Sequence, residues 1–220
     1  MTLEVASDAR IVAGMTAQLQ VRRTRLGDGA RALGWKLGMG GAAAREQLGT
    51  SGPLVGFLIE DDLLPDSAQV AIGGWQDPRF EAELAVRIGS SGRIDAVAAA
   101  IELADTGRMS DDVESILRLN VFQRHVILGE MHDPDVLPTS CTVIRDGAEI
   151  DSTRAPLAPG DPAALIAYVG EFLDAVGEPP PRPGDWLITG AIFPPLAVVA
   201  GQRFEHRLEP LGAVSVSFVS

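Results

Sequence analysis

DPRFEAELAVRIG, residues 77–89, is the stretch on which the fold turns. Its side chains alternate: Phe80, Ala82, Leu84, Val86 and Ile88 form an apolar series, and Glu81, Glu83, Ala85 and Arg87 lie between them. A period of two marks a β-strand with unlike faces. Residues i and i+2 of a strand share a face about 7 Å apart, so Glu81 and Glu83 point the same way. On one reading this is a wet face carrying solubilising charge, which periodicity alone favours. On the other, the pair is aimed at a cation. Neighbouring carboxylates repel, and a hard divalent ion turns that repulsion into binding.

Around this strand the pattern is β-rich. Downstream, HVILGE reads as a short buried strand and CTVIRDGAEI as a hairpin turning at Asp146-Gly147. WLITGAI, RFEHRLE and AVSVSFVS supply three more β segments, with Val214, Val216 and Phe218 on one face of the last. Upstream, VGFLIE and ALGWKLGMG read as strands, and EDDLLPD as a solvated turn. DAVAAAIELAD is ambiguous between a helix capped by Asp95 and a strand. Helical spacing runs from about Ala6 to Leu26 through Ile11, Met15 and Leu19. AAAREQLG is a short helix stopped by Gly49. DPAALIAYVGEFLDAVG is the clearest helix, with Asp161 as N-cap, Pro162 in the first turn and Gly177 as the stop. The sum is an α+β fold in one domain.

The chain has 220 residues, 46% of them hydrophobic and 22% charged, a globular balance that argues against disorder. Its formal net charge of −12 repels phosphate backbones and anionic lipids, so neither nucleic acid nor a membrane surface is expected as a partner. An anionic substrate would need a local lysine, arginine or metal. Cys141 is the only cysteine, which excludes an intrachain disulfide and fits a reducing cytoplasm. MTLEVASDAR carries no signal-peptide pattern, and the longest apolar runs are too short to span a bilayer.

Lys36 lies mid-strand between apolar neighbours. It either snorkels from an edge or is a partly buried ammonium able to pair a substrate carboxylate or move a proton. Gly38-x-Gly40-x-x-Ala43, with Glu60 and Asp61 further on, matches the G-x-G-x-x-A dinucleotide fingerprint, so a nicotinamide-dependent oxidoreductase is a rival of another class. The helix after these glycines is short, which suits a plain turn better. His125, His132 and His206 have no metal-ligand spacing.

Taken together, GWKLGM, AREQLG, GPLVGFL, FEAELAV, ELADTGR, RLNVFQRHVILGE and the long stretch from GEPPPRPGDWLITGAIFPP to AVSVSF resemble the fumarylacetoacetate hydrolase superfamily. The resemblance is to its 2-keto-4-pentenoate hydratase and 4-oxalocrotonate decarboxylase branch. It implies a mixed β-roll with flanking helices, divided into an N-terminal helical segment (1–30) and a catalytic domain (31–220). It implies Glu81, Glu83 and Glu102 as ligands of Mg²⁺ or Mn²⁺, Lys36 as the catalytic lysine, and Thr189 and Gly190 beside the substrate. The implied activity is that of a lyase on a 2-oxo acid or its 2-hydroxy-dienoate tautomer. Hydratase comes first, then decarboxylase, C–C hydrolase, or a member that has lost catalysis. A homo-oligomer is implied as well. Three features depart from the branch: a short segment between Glu83 and Glu102, a short N-terminal region, and Pro53-Leu54-Val55-Gly56 where hydratases carry a Pro-Asp pair.

Overall fold

A computed structural model describes residues 8–90, 92–107, 112–154, 157–158 and 160–220. The start of the first helix at Ala6, and Arg108 of ELADTGR, lie outside these residues. The chain runs α1 (Ala9–Gly27), β1 (Ala32–Gly38), α2 (Ala42–Leu48), β2 (Leu54–Ile59), β3 (Leu63–Leu64), β4 (Ala68–Ala71), β5 (Pro78–Ile88) and β6 (Ile94–Asp105). It continues through α3 (Val113–Arg118), β7 (Gln123–Leu128), β8 (Ser140–Arg145), β9 (Ala148–Arg154), α4 (Pro162–Ala175), β10 (Trp186–Ile188), β11 (Leu196–Ala197), β12 (Arg203–Glu209) and β13 (Ala213–Val219).

The larger sheet has the order β2-β1-β10-β5-β6-β7-β3, with β11 also beside β5. Its two ends are one piece of chain, because β2 leads through a 3₁₀ turn, Glu60–Asp62, directly into β3. Leu54–Ile59 pair with β1, while Leu63 and Leu64 pair with Val126 and Ile127 of β7. A sheet whose last strand continues its first must curl round, and its concave face becomes an interior. EDDLLPD, expected to be a solvated turn, is therefore the join. Leu63-Leu64 supplies backbone partners that the edge of β7 would otherwise lack.

Strand parity decides what faces inward. Leu58, Ala85, Ala98, Ala100, Val126 and Ile188 belong to one buried cluster, separate from the main core. The alanines let the walls of the curl come close. DAVAAAIELAD resolves as strand, since pairing on both sides with β5 and β7 overrides alanine's helical preference. The opposite parity, including Phe80, Leu84 and Ile101, joins the main core against α1, α3 and a second sheet ordered β4-β13-β12-β8-β9. Phe80 stacks on Phe204 of that sheet with ring centroids 4.8 Å apart.

Local signals explain the remaining elements. Asp146 and Gly147 join β8 to β9 with φ of 52° and 84°, the left-handed pair of a tight hairpin turn. Asp161 accepts a hydrogen bond from the Ala164 N–H at the start of α4. The glycines after β1 turn the chain into α2, seven residues long with Gly41 as its N-cap. β2 then lies antiparallel to β1, so this unit is not the parallel β-α-β of a dinucleotide site.

Candidate metal centre

β5 and β6 pair antiparallel, with a register shift between Arg87 and Ile88, and Glu81 sits directly opposite Glu102 and Glu83 opposite Ala100. The short segment between Glu83 and Glu102 is thus the turn and return of two paired strands, with the third carboxylate beside the first two. One carboxylate oxygen from each of Glu81, Glu83 and Glu102 lies within 4.8 Å of the others. Glu83 and Glu102 are fully buried and Glu81 is partly so. The wet-face reading is thereby corrected. Alternation set the parity rightly, but the curl turns that face inward.

Buried Glu83 Oε1 and Glu102 Oε2 have no hydrogen-bond partner among the described residues. Each orphan of this kind costs about 1–3 kcal/mol, and more when charged. The other Glu83 oxygen accepts the Gly190 N–H at 2.8 Å. Gly190 has φ of 105°, a backbone that a side chain would strain. Burial pushes all three carboxyls above the usual range, with the neighbouring carboxylates adding to the effect at Glu81 and Glu83. Glu81 is raised to about 7. A dry group of three oxygen donors with orphaned atoms fits a hard divalent cation such as Mg²⁺ or Mn²⁺.

Lys36 faces the same interior from β1, paired with Gly56 of β2 and Ile188 of β10. It is 2% exposed, which overturns the snorkelling reading. Its ammonium forms an ion pair with Glu102 and donates to the Val121 carbonyl at 3.1 Å. Burial opposes its charge, yet Glu102, Glu81 and Glu83 outweigh burial and hold its pKa above the ordinary lysine value. The charged ammonium is therefore the favoured form of Lys36.

Thr189 is fully buried and its hydroxyl donates to the Leu84 carbonyl at 3.0 Å, tying the loop after β10 to β5. Leu54 is fully buried at the inward parity of Gly56 and Lys36. Two residues beside the site have no role in the sequence reading, where His206 was set aside for lack of metal-ligand spacing. Buried His206 places Nε2 3.0 Å from the Glu83 carbonyl, and burial lowers its pKa to about 4, so it is neutral. Asn120 bonds both backbone groups of Phe57 beside the lysine. In β12 His206 shares the buried alternating face of Phe204 and Leu208, which marks its burial but not its partner, and no periodicity marks Asn120. Lys36 carried a signal that could have been used: of the 18 Lys and Arg residues, it is the only lysine.

No protein-family model matches the chain. It is 27% identical over 222 residues to a 4-oxalocrotonate decarboxylase of Pseudomonas putida, across 93% of this chain and 84% of that one. It is 29% identical over 216 residues to 2-keto-4-pentenoate hydratase 2 of Dechloromonas aromatica, across 89% and 81%. Among solved structures it superposes with a TM-score of 0.84 on 4-oxalocrotonate decarboxylase from Pseudomonas putida G7, complexed with magnesium and adipate. That match has 24% identity and covers 94% of this chain and 85% of the other. Fumarylpyruvate hydrolase from Pseudomonas aeruginosa, in complex with Mn²⁺ and pyruvate, gives a TM-score of 0.69 at 17% identity, covering 86% and 89%.

Proposed function

From its place in the fumarylacetoacetate hydrolase superfamily, among relatives named 2-keto-4-pentenoate hydratase and 4-oxalocrotonate decarboxylase, we propose that this chain is a divalent-metal-dependent lyase. Its substrate is a 2-oxo acid or the 2-hydroxy-dienoate tautomer. The observation that carries this reading is the inward trio Glu81, Glu83 and Glu102, with two orphaned oxygens, facing the Lys36 ammonium. The trio would hold Mg²⁺ or Mn²⁺, which when bound supplies Lewis acidity toward the carboxylate and 2-oxygen of the substrate.

The protein's own groups do the rest. Gly190 holds Glu83 through its N–H, and the loop Thr189-Gly190 borders the substrate. Lys36 offsets the negative charge that the substrate carries on its enolate after it loses a proton or CO₂, and can return a proton to carbon. The apolar interior behind the trio excludes water. Hydration is the first reading. Decarboxylation is second: the chain has Leu54 where the resemblance to hydratases would put an aspartate.

Residues 31–220 carry every site residue, and we assign them as the catalytic domain, after an N-terminal segment 1–30 that is helical over Ala9–Gly27. No described helix is long and apolar enough to cross a membrane. We infer a cytoplasmic homo-oligomer. The decisive experiment is Glu83→Ala, assayed for hydration of 2-hydroxypenta-2,4-dienoate and for CO₂ release from 2-oxo-3-hexenedioate, with Mg²⁺ and after chelation. Turnover should need metal and should fall by roughly 10³-fold or more in the variant. Undiminished turnover by Glu83→Ala would sink the assignment.

A further inference from the structure

We propose that Asn120 is a positioning residue that acts on Lys36 through the Val121 carbonyl, an inference that rests on reading Lys36 as the charge complement of the site. β2 has β1 on one side, and on the other side no strand among the described residues reaches Phe57. The Asn120 side chain takes that place. Its Oδ1 accepts the Phe57 N–H at 2.8 Å, and its Nδ2 donates to the Phe57 carbonyl at 2.9 Å. One carboxamide thus stands in for a neighbouring strand and anchors the chain just before β7 to the edge of β2.

The anchored turn is strained. Asn120, Val121 and Phe122 have φ of 52°, 51° and 67°, three successive residues in the left-handed region. Asparagine tolerates that region. A β-branched valine and a phenylalanine do not, at roughly 1–2 kcal/mol each. Such a backbone persists only where its surroundings impose it, and it clusters where geometry matters for function. Its consequence here is that the Val121 carbonyl is turned onto Lys36 Nζ at 3.1 Å. The Val121 side chain packs so closely on Gly38 that a Cβ there would lie 2.7 Å from Cγ1, which fixes the turn from the other side.

This second hold on the ammonium has a use. The charged partner of Lys36 is Glu102, which is also a candidate metal ligand, so a cation drawn to Glu102 competes for that partner. The neutral, rigid Val121 carbonyl does not move toward a cation on that account, and it keeps the lysine in place.

Because Lys36 is the only lysine, amine acylation followed by mass spectrometry reads this one side chain. Metal-free wild-type protein, Asn120→Ala and Asn120→Gly are compared under conditions where circular dichroism shows each folded. Glycine keeps the left-handed backbone without strain and removes only the clamp. Labelling of Lys36 should rise about tenfold or more in both variants. Unchanged labelling in the folded glycine variant overturns the proposal.

A second readout is oxalate affinity in excess Mg²⁺, by calorimetry, in a cycle with Lys36→Ala. Asn120→Gly and Lys36→Ala should each weaken binding about tenfold, and the double variant no further than Lys36→Ala alone. Additive losses would mean that Asn120 acts on the sheet and not on the lysine, and would overturn the proposal. Should wild-type protein bind no oxalate with Mg²⁺, the functional reading fails, and the labelling result alone decides the role of Asn120.

Discussion

Gly56 lies across the β1–β2 ladder from Lys36, and the absence of its side chain is what lets the lysine lie along the interior wall. A Cβ there would meet Lys36 Cγ at 2.8 Å and Asn120 Oδ1 at 3.0 Å, both tighter than ordinary contact. Gly56→Ala should therefore pull the ammonium away from Glu102 while leaving the three carboxylates in place on β5 and β6. kcat should fall about tenfold or more while Mg²⁺ binds at least as tightly as in wild type, measured by steady-state kinetics and calorimetry. An unchanged kcat would show that the lysine has room to spare. The sequence placed Lys36 in a strand among apolar neighbours, but periodicity could not tell an edge from an interior. That choice depends on Gly56, Val121 and Glu102, which are distant in sequence.

At the level of elements, the β5–β6 hairpin carries the three carboxylates and the alanines behind them. Strict register brings Glu81 opposite Glu102, and the same register lines Ala85 against Ala98. Ala98 is fully buried in the curl. Ala98→Leu should overpack it and cost about 1–3 kcal/mol, seen as a lower urea midpoint with an unchanged slope. A midpoint equal to wild type would mean that the interior holds unfilled space. Alternation made β5 legible. β6 was not, because alanine is compatible with helix and strand alike, and only pairing with two neighbours decided it.

At the scale of the whole molecule, the interior stores a pH-dependent cost. Burial raises the folded-state pKa of Glu81 to about 7, and moves Glu83 and Glu102 in the same direction. A raised carboxyl costs nothing below its unfolded value near 4.5. It destabilises progressively as pH climbs to the folded value, and by a constant amount above it. Metal-free protein should thus lose stability between about pH 4.5 and pH 7, and Mg²⁺ should raise Tm more at pH 8 than at pH 5.5, by thermal melts with and without EDTA. An equal Mg²⁺ shift at both pH values would argue against carboxylate ligation.

From the sequence alone come the β-rich α+β class, the shared face of Glu81 and Glu83, the caps of α4 and the turn at Asp146-Gly147, because each depends on neighbours a few residues away. The tertiary structure alone decides that this shared face is an interior, that EDDLLPD joins the sheet to itself, and that Asn120 and His206 stand behind the site. Curvature and closure are properties of paired strands far apart in the chain, and no local pattern of side chains encodes them.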